Sequence, residues 1–130
     1  MTLINDVYSY LCELAPLKMQ MGFDNAGFQL GRGGNEVHRA LLALDVTDDV
    51  VREAEELGAE LIISHHPLIF TPVKNITDCD AEHRRLLELA AKNIAVISMH
   101  TNLDIAEGGV NDVLIRALGA EPECALDADG

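Results

Sequence analysis

Two adjacent histidines, His65 and His66, stand between the apolar run Leu61-Ile62-Ile63-Ser64 and Pro67. Neutral imidazole is a ligand for zinc, iron, manganese or nickel. The apolar run reads as a buried strand, and in open α/β sheets ligands collect where carboxyl ends of strands meet loops. Pro67 disfavours helix at His66 and favours extended backbone. Neighbouring side chains on extended backbone point to opposite sides. The two rings are therefore expected to diverge, serving two ions, or one ion and a substrate, rather than chelating one ion together.

Other residues with ligand chemistry recur at strand ends. Asp45 follows the run Ala40–Leu44, while His100 and Asp104 follow Ile94–Met99. If the three strands are parallel, these side chains share one edge of the sheet. Two ions about 3.5–4 Å apart, bridged by a carboxylate, would activate a water at neutral pH. Bland accounts stand beside this chemistry. A strand-end histidine pair can be satisfied by hydrogen bonds, an imidazole beside a carboxylate need bind nothing, and Asp45 suits the turn before a helix. Gly108-Gly109 could expose amides to an anion, with help from Asn111, or simply permit a tight start to a helix. Asp24 to Gly31 reads as a turn whose functional role would be a polar lip over the pocket. His38 and His83 read as ordinary surface residues.

Composition narrows the field. The 130 residues suit one domain with one core, and 48% hydrophobic residues argue for a folded chain. A net charge of -13 with nine scattered basic residues excludes a broad basic surface for nucleic acid. No apolar stretch approaches the ~20 residues that span a bilayer, and no signal peptide opens the chain, so a cytoplasmic protein is expected. Cys12, Cys79 and Cys124 show no CxxC spacing and are expected to be reduced. GxSxG, GxxxxGK[ST] and HExxH are all absent, and no cysteine stands at a strand end beside a histidine.

The elements that must position these residues alternate. Thr2–Leu14 carries a helical stripe ended by Pro16, and Gly22–Gly34 reads as turn, short strand, turn. Strand Ala40–Leu44 precedes a helix capped by Thr47, running to Leu57 and closed by Gly58. Strand Leu61–Ser64, helix Asp80–Lys92, strand Ile94–Met99 and helix Val110–Leu118 follow. Such alternation predicts an α/β domain with a largely parallel or mixed sheet flanked by helices. The tail Ala125–Gly130 stops without a closing element, as the front part of a longer protein would.

Several segments together carry a family resemblance. Ile62-Ile63-Ser64-His65-His66-Pro67-Leu68-Ile69-Phe70, His100-Thr101-Asn102-Leu103-Asp104 and Gly108-Gly109-Val110-Asn111-Asp112 resemble motifs of the Nif-three-like dinuclear-metal proteins. Asp24-Asn25-Ala26-Gly27 and Leu44-Asp45-Val46-Thr47 resemble its other N-terminal signatures. Phe23 stands where the family usually has Trp, and Phe28 where Leu is common, both apolar replacements. That family is often labelled GTP cyclohydrolase I type two. The resemblance implies two divalent ions (zinc, iron or manganese) with His65, His66 and Asp104 as ligands. His100, Asp45, Asn25 and Asn111 would support the ligands or meet substrate. It also implies that residues 1–130 are a single α/β domain forming the N-terminal half. The family's remaining ligands, a His and a Glu in an HxxxE arrangement near the C-terminus, have no counterpart here, so metal binding by this half is expected to be weak or incomplete. Full-length members commonly form homo-hexamers.

The function expected is a metal-dependent hydrolase acting on a small molecule, a nucleotide such as GTP. The alternative is a non-catalytic metal-binding or regulatory interaction protein. Neither direct nucleic-acid binding nor a membrane partner is expected.

Overall fold

Three apolar runs pair in parallel and a fourth strand closes the far edge. The computed structural model describes residues 1–121. Its helices are α1 (Ile4–Leu14), α2 (Asp48–Leu57), α3 (Ala81–Ala91), α4 (Thr101–Ile105) and α5 (Val110–Ala117). Its strands are β1 (Gly27–Leu30), β2 (Ala40–Ala43), β3 (Leu61–Ser64) and β4 (Ala95–Ser98), and a short 3-10 turn spans Leu17–Met19. The sheet order is β1-β4-β3-β2. β2, β3 and β4 are mutually parallel, whereas β1 runs antiparallel to β4. The sheet is thus mixed and flanked by helices, as the alternation predicts.

Local signals set most boundaries. Thr47 Oγ1 accepts a hydrogen bond from the Val50 amide at 3.3 Å, Asp48 and Asp49 occupy the first turn of α2, and Gly58 ends it in the left-handed region. Asp80, read as the first residue of a helix, is instead its cap: Oδ1 accepts from the His83 amide at 2.8 Å. The helix α4 was not legible in the sequence. Only two residues separate it from the end of β4, and it has only five residues, too few to show a periodic stripe.

Alternation along the strands divides the core in two. Ile62 and Val96 pack with Val51, Ala54, Leu86 and Leu89 under α2 and α3. Leu61, Ala95 and Ile97 turn to the other face and pack with Ile4 and Met99, joined by Val7, Leu11 and Leu103. Period-two burial on both faces is the behaviour of a parallel strand covered on each side. At the antiparallel edge Gly31 has φ +116°, and a Cβ there would lie 2.7 Å from the Ala95 Cβ. Only glycine fits that approach.

Cys12 and Cys79 are free thiols; Cys124 and the tail Ala125–Gly130 lie outside the described residues. His38 is exposed, but the His83 side chain is largely covered, with Nδ1 2.7 Å from Asp80 Oδ2, so it is not an ordinary surface residue. Among the described residues no helix is long and apolar enough to cross a membrane.

Away from the strand carboxyl ends, Glu60 clasps the start of β2. Its Oε2 accepts from the His38 and Arg39 amides at 3.1 and 2.9 Å. Partial burial pushes its carboxyl up, but these amides outweigh it and hold it below the usual glutamate range. A depressed acid contributes stability that is present above the ordinary carboxylate pKa and lost as pH falls through the folded value. Replacement Glu60→Gln is therefore expected to lower the melting temperature at neutral pH, with the gap to wild type closing as the pH falls through and below the ordinary glutamate range. Calorimetric scans across that range check this; a gap independent of pH contradicts it.

Candidate metal centre

The parallel ladder ends in step. Ser64 pairs with Ser98 in register, and their hydroxyls lie 2.8 Å apart. The Met99 amide then donates to Ser64 O at 2.9 Å, carrying the pairing one residue beyond the strands. Immediately past this point the chain delivers His65, His66 and His100.

The two adjacent rings do not diverge. The ring centroids of His65 and His66 are 5.0 Å apart, and that of His100 lies 5.2 Å from His65 and 5.6 Å from His66. One nitrogen from each of the three lies within 4.8 Å of the other two. The expectation of opposed side chains assumes that strand alternation continues, and it stops at Ser64. Ser64 Oγ reaches forward to donate to His66 O at 2.9 Å. The consecutive amides of His65 and His66 both donate toward β2, to Ala43 O and Leu44 O at 3.2 and 2.9 Å. In a regular strand successive amides face opposite edges, so this bend carries both rings to one side.

Each imidazole is tied at Nδ1. His65 Nδ1 lies 2.9 Å from Met99 O, His66 Nδ1 2.7 Å from Asp45 Oδ1, and His100 Nδ1 2.8 Å from Asp24 Oδ1. A carbonyl and two carboxylates can only accept, so Nδ1 is the protonated nitrogen in the neutral rings. The Nε2 lone pairs are left for another partner. Asp104 adds a carboxylate, its Oδ1 3.6 Å from His65 Nε2. This donor set fits a divalent transition-metal ion: borderline imidazole nitrogens with a hard oxygen nearby, and ring orientation fixed from behind. Three carboxylates around the three rings also bring negative charge to the site that favours a cation.

In the sequence Asp24 belongs to a turn lipping the pocket and to a segment resembling a family motif, with no individual role assigned to it. Its side chain has 0% exposure. Burial raises its pKa, but hydrogen bonds from the Thr101 hydroxyl, His100 Nδ1 and the Asn25 and Thr101 amides outweigh that and hold it below the usual aspartate range. Nothing local signals the contact, because Asp24 and His100 are 76 positions apart.

The remaining expected residues have definite places. Asp45 backs His66, as its position at the end of β2 allows. Asn25 is turned to the loop after His66, donating from Nδ2 to Ile69 O at 2.6 Å. Asn111 donates to Asp104 O at 3.0 Å, which ties α5 to the end of α4. The glycines serve the helix start rather than an anion: the Gly108 amide donates to Asp112 Oδ2 at 2.6 Å and the Gly109 amide to Ala106 O at 2.9 Å. A Cβ on Gly109 would lie 2.0 Å from Leu103 O. The half-exposed Phe70 ring stands edge-on to His100 at 6.4 Å. An apolar groove lined by Leu11, Leu14, Leu42, Met99 and Leu103 runs up to His65.

Residues 2–129 match the Duf34/NIF3 (NGG1p interacting factor 3) family. A "GTP cyclohydrolase 1 type 2 homolog" of Clostridium perfringens is 39% identical over 124 residues, covering 95% of this chain and 47% of that protein. The protein of the same description from Halalkalibacterium halodurans is 44% identical over 106 residues, covering 81% of this chain and 28% of its own. Among solved structures, a Bacillus cereus protein related to NIF3 superposes with a TM-score of 0.87 at 41% identity, over 92% of this chain and 33% of that one. Reduced HcgD from Methanocaldococcus jannaschii gives 0.88 at 30% identity, over 99% and 52%. The chain thus spans about half, or less, of the length of these relatives.

Asn102 underpins the cluster. It is fully buried, its Oδ1 accepting from the His100 amide at 2.9 Å and its Nδ2 donating to Ala15 O at 2.7 Å. Replacement Asn102→Ala strands the part-buried His100 amide and the buried Ala15 carbonyl and is expected to cost about 2–3 kcal/mol in urea denaturation. A loss under about 0.5 kcal/mol, the size of a neutral surface change, contradicts that role.

Proposed function

Since this chain belongs to the Duf34/NIF3 family, we propose that it carries the imidazole side of a divalent-metal centre serving hydrolysis of a nucleotide such as GTP. The observation that carries the reading is the convergence of three imidazoles whose Nδ1 atoms are all engaged by acceptors. In this reading His65, His66 and Asp104 are ligands to two ions of zinc, iron or manganese type, and His100 stands ready as a further donor. Divalent ions held there supply Lewis acidity and a water made nucleophilic at neutral pH. The chain's own residues hold the rings in one tautomer and concentrate negative charge at the rim. Residues 1–130 form one α/β domain in this proposal. The ligands completing the second ion come from the part of the longer relatives that this chain does not match, and the complete protein assembles as a homo-hexamer. The nucleotide substrate is supported by the descriptions of the relatives, since fold and metal site do not select a substrate.

Elemental analysis of the purified chain is the first test. Zinc, manganese or iron is expected to co-purify or bind on addition, with affinity reduced more than about tenfold by His65→Ala. Failure to bind any of the three overturns the reading. Incubation of a metal-loaded full-length family protein with GTP then asks for ring opening that the matching histidine replacement abolishes. Metal binding without turnover of GTP or other nucleotides favours the non-catalytic alternative.

A further inference from the structure

We propose that Asp24 is a positioning residue that sets the tautomer of His100, keeping the ring proton on Nδ1 and leaving the Nε2 lone pair free. The carboxylate has four donors and no exposed surface. His100 Nδ1 and the Asn25 amide reach Oδ1 at 2.8 and 2.7 Å. The Thr101 amide reaches Oδ2 at 3.1 Å, together with the Thr101 hydroxyl. That hydroxyl accepts from the Met21 amide at 3.0 Å, so its own proton is directed to Asp24. Both backbone amides can only donate. Each carboxylate oxygen is therefore a committed acceptor, and the imidazole nitrogen facing it must carry a hydrogen.

His100 differs from its two neighbours in what fixes it. His65 faces a main-chain carbonyl, which no side-chain replacement removes. His66 faces Asp45, a carboxylate 53% exposed, where water can stand in for the lost partner. Only the His100 tautomer hangs on a buried side chain. An Asp24→Ala replacement removes both acceptor oxygens from a position with no exposed surface. His100 Nδ1–H is then left without its acceptor, and the ring can answer by moving its proton to Nε2. The Nδ1 lone pair would then face the side from which the Asn25 amide donates, and Nε2 would no longer be a ligand atom.

The tautomer assignment stands on hydrogen bonding alone; that Nε2 serves an ion rests on the metal-centre reading. Long-range proton–nitrogen NMR of the chelator-treated chain, at a pH above the imidazole range, reads the tautomer directly. Wild-type His100 is expected as Nδ1–H, and Asp24→Ala is expected to make Nε2–H the major form. Zinc affinity is expected to fall about 10–100-fold in that variant. Wild-type His100 in the Nε2–H form overturns the proposal without any variant, which also decides the matter if Asp24→Ala does not fold. An unchanged tautomer in a folded variant overturns it equally. The expected tautomers without zinc binding support Asp24 as the positioning residue and overturn the metal reading.

Discussion

The in-register parallel pairing of β3 with β4 is the constraint on which the candidate site depends. It sets Leu61 beside Ala95 and Ser64 beside Ser98, so the two strands finish at the same level. The chain after Ser64 then leaves the sheet beside the chain after Ser98. A one-residue slip would turn the buried aliphatic set to the wrong face, and both cores oppose it. The register is thus enforced by burial along the strands, and the geometry of the imidazoles is inherited from it.

What happens at the end of the ladder is decided by polar groups. The two serines, buried and joined through their hydroxyls, mark the last level at which strand geometry applies. Beyond them the backbone bends, both histidine amides turn to β2, and only Met99 and His100 separate β4 from helix α4. His100 is the residue before that helix, and Asp104 lies one turn further, its amide bonded to His100 O at 3.1 Å. Rings that would alternate on extended chain instead face one another. Their rear nitrogens are gathered by acceptors from three different places: the end of β2, the end of β4 and the loop before β1. The loop carrying Asp24 and Asn25 clasps both sides, holding His100 through one side chain and the Ile69 carbonyl through the next.

Much of the architecture was legible because it is written locally. Thr47, Asp80 and Gly58 mark helix ends by side-chain and backbone chemistry that acts within four residues. The runs at β2, β3 and β4 declare themselves by apolar character, and their spacing implies crossovers and parallel strands. The sites of His65, His66, Asp45, His100 and Asp104 at strand ends followed from that alone. The five-residue helix α4 and the antiparallel placement of β1 did not follow. The first is too short for a period, and the second depends on which edge of a finished sheet lies open.

The sequence by itself determined which chemical groups arrive at the rim of the sheet, because residue type and strand length are local properties. Tertiary structure alone decided which atoms meet there. Asp24 finds His100 across 76 positions, Asp45 finds His66 across 21, and Met99 finds His65 across 34. Hydrogen bonds of that reach leave no periodicity or spacing behind, and they exist only once packing has brought separate ends of the chain to one place.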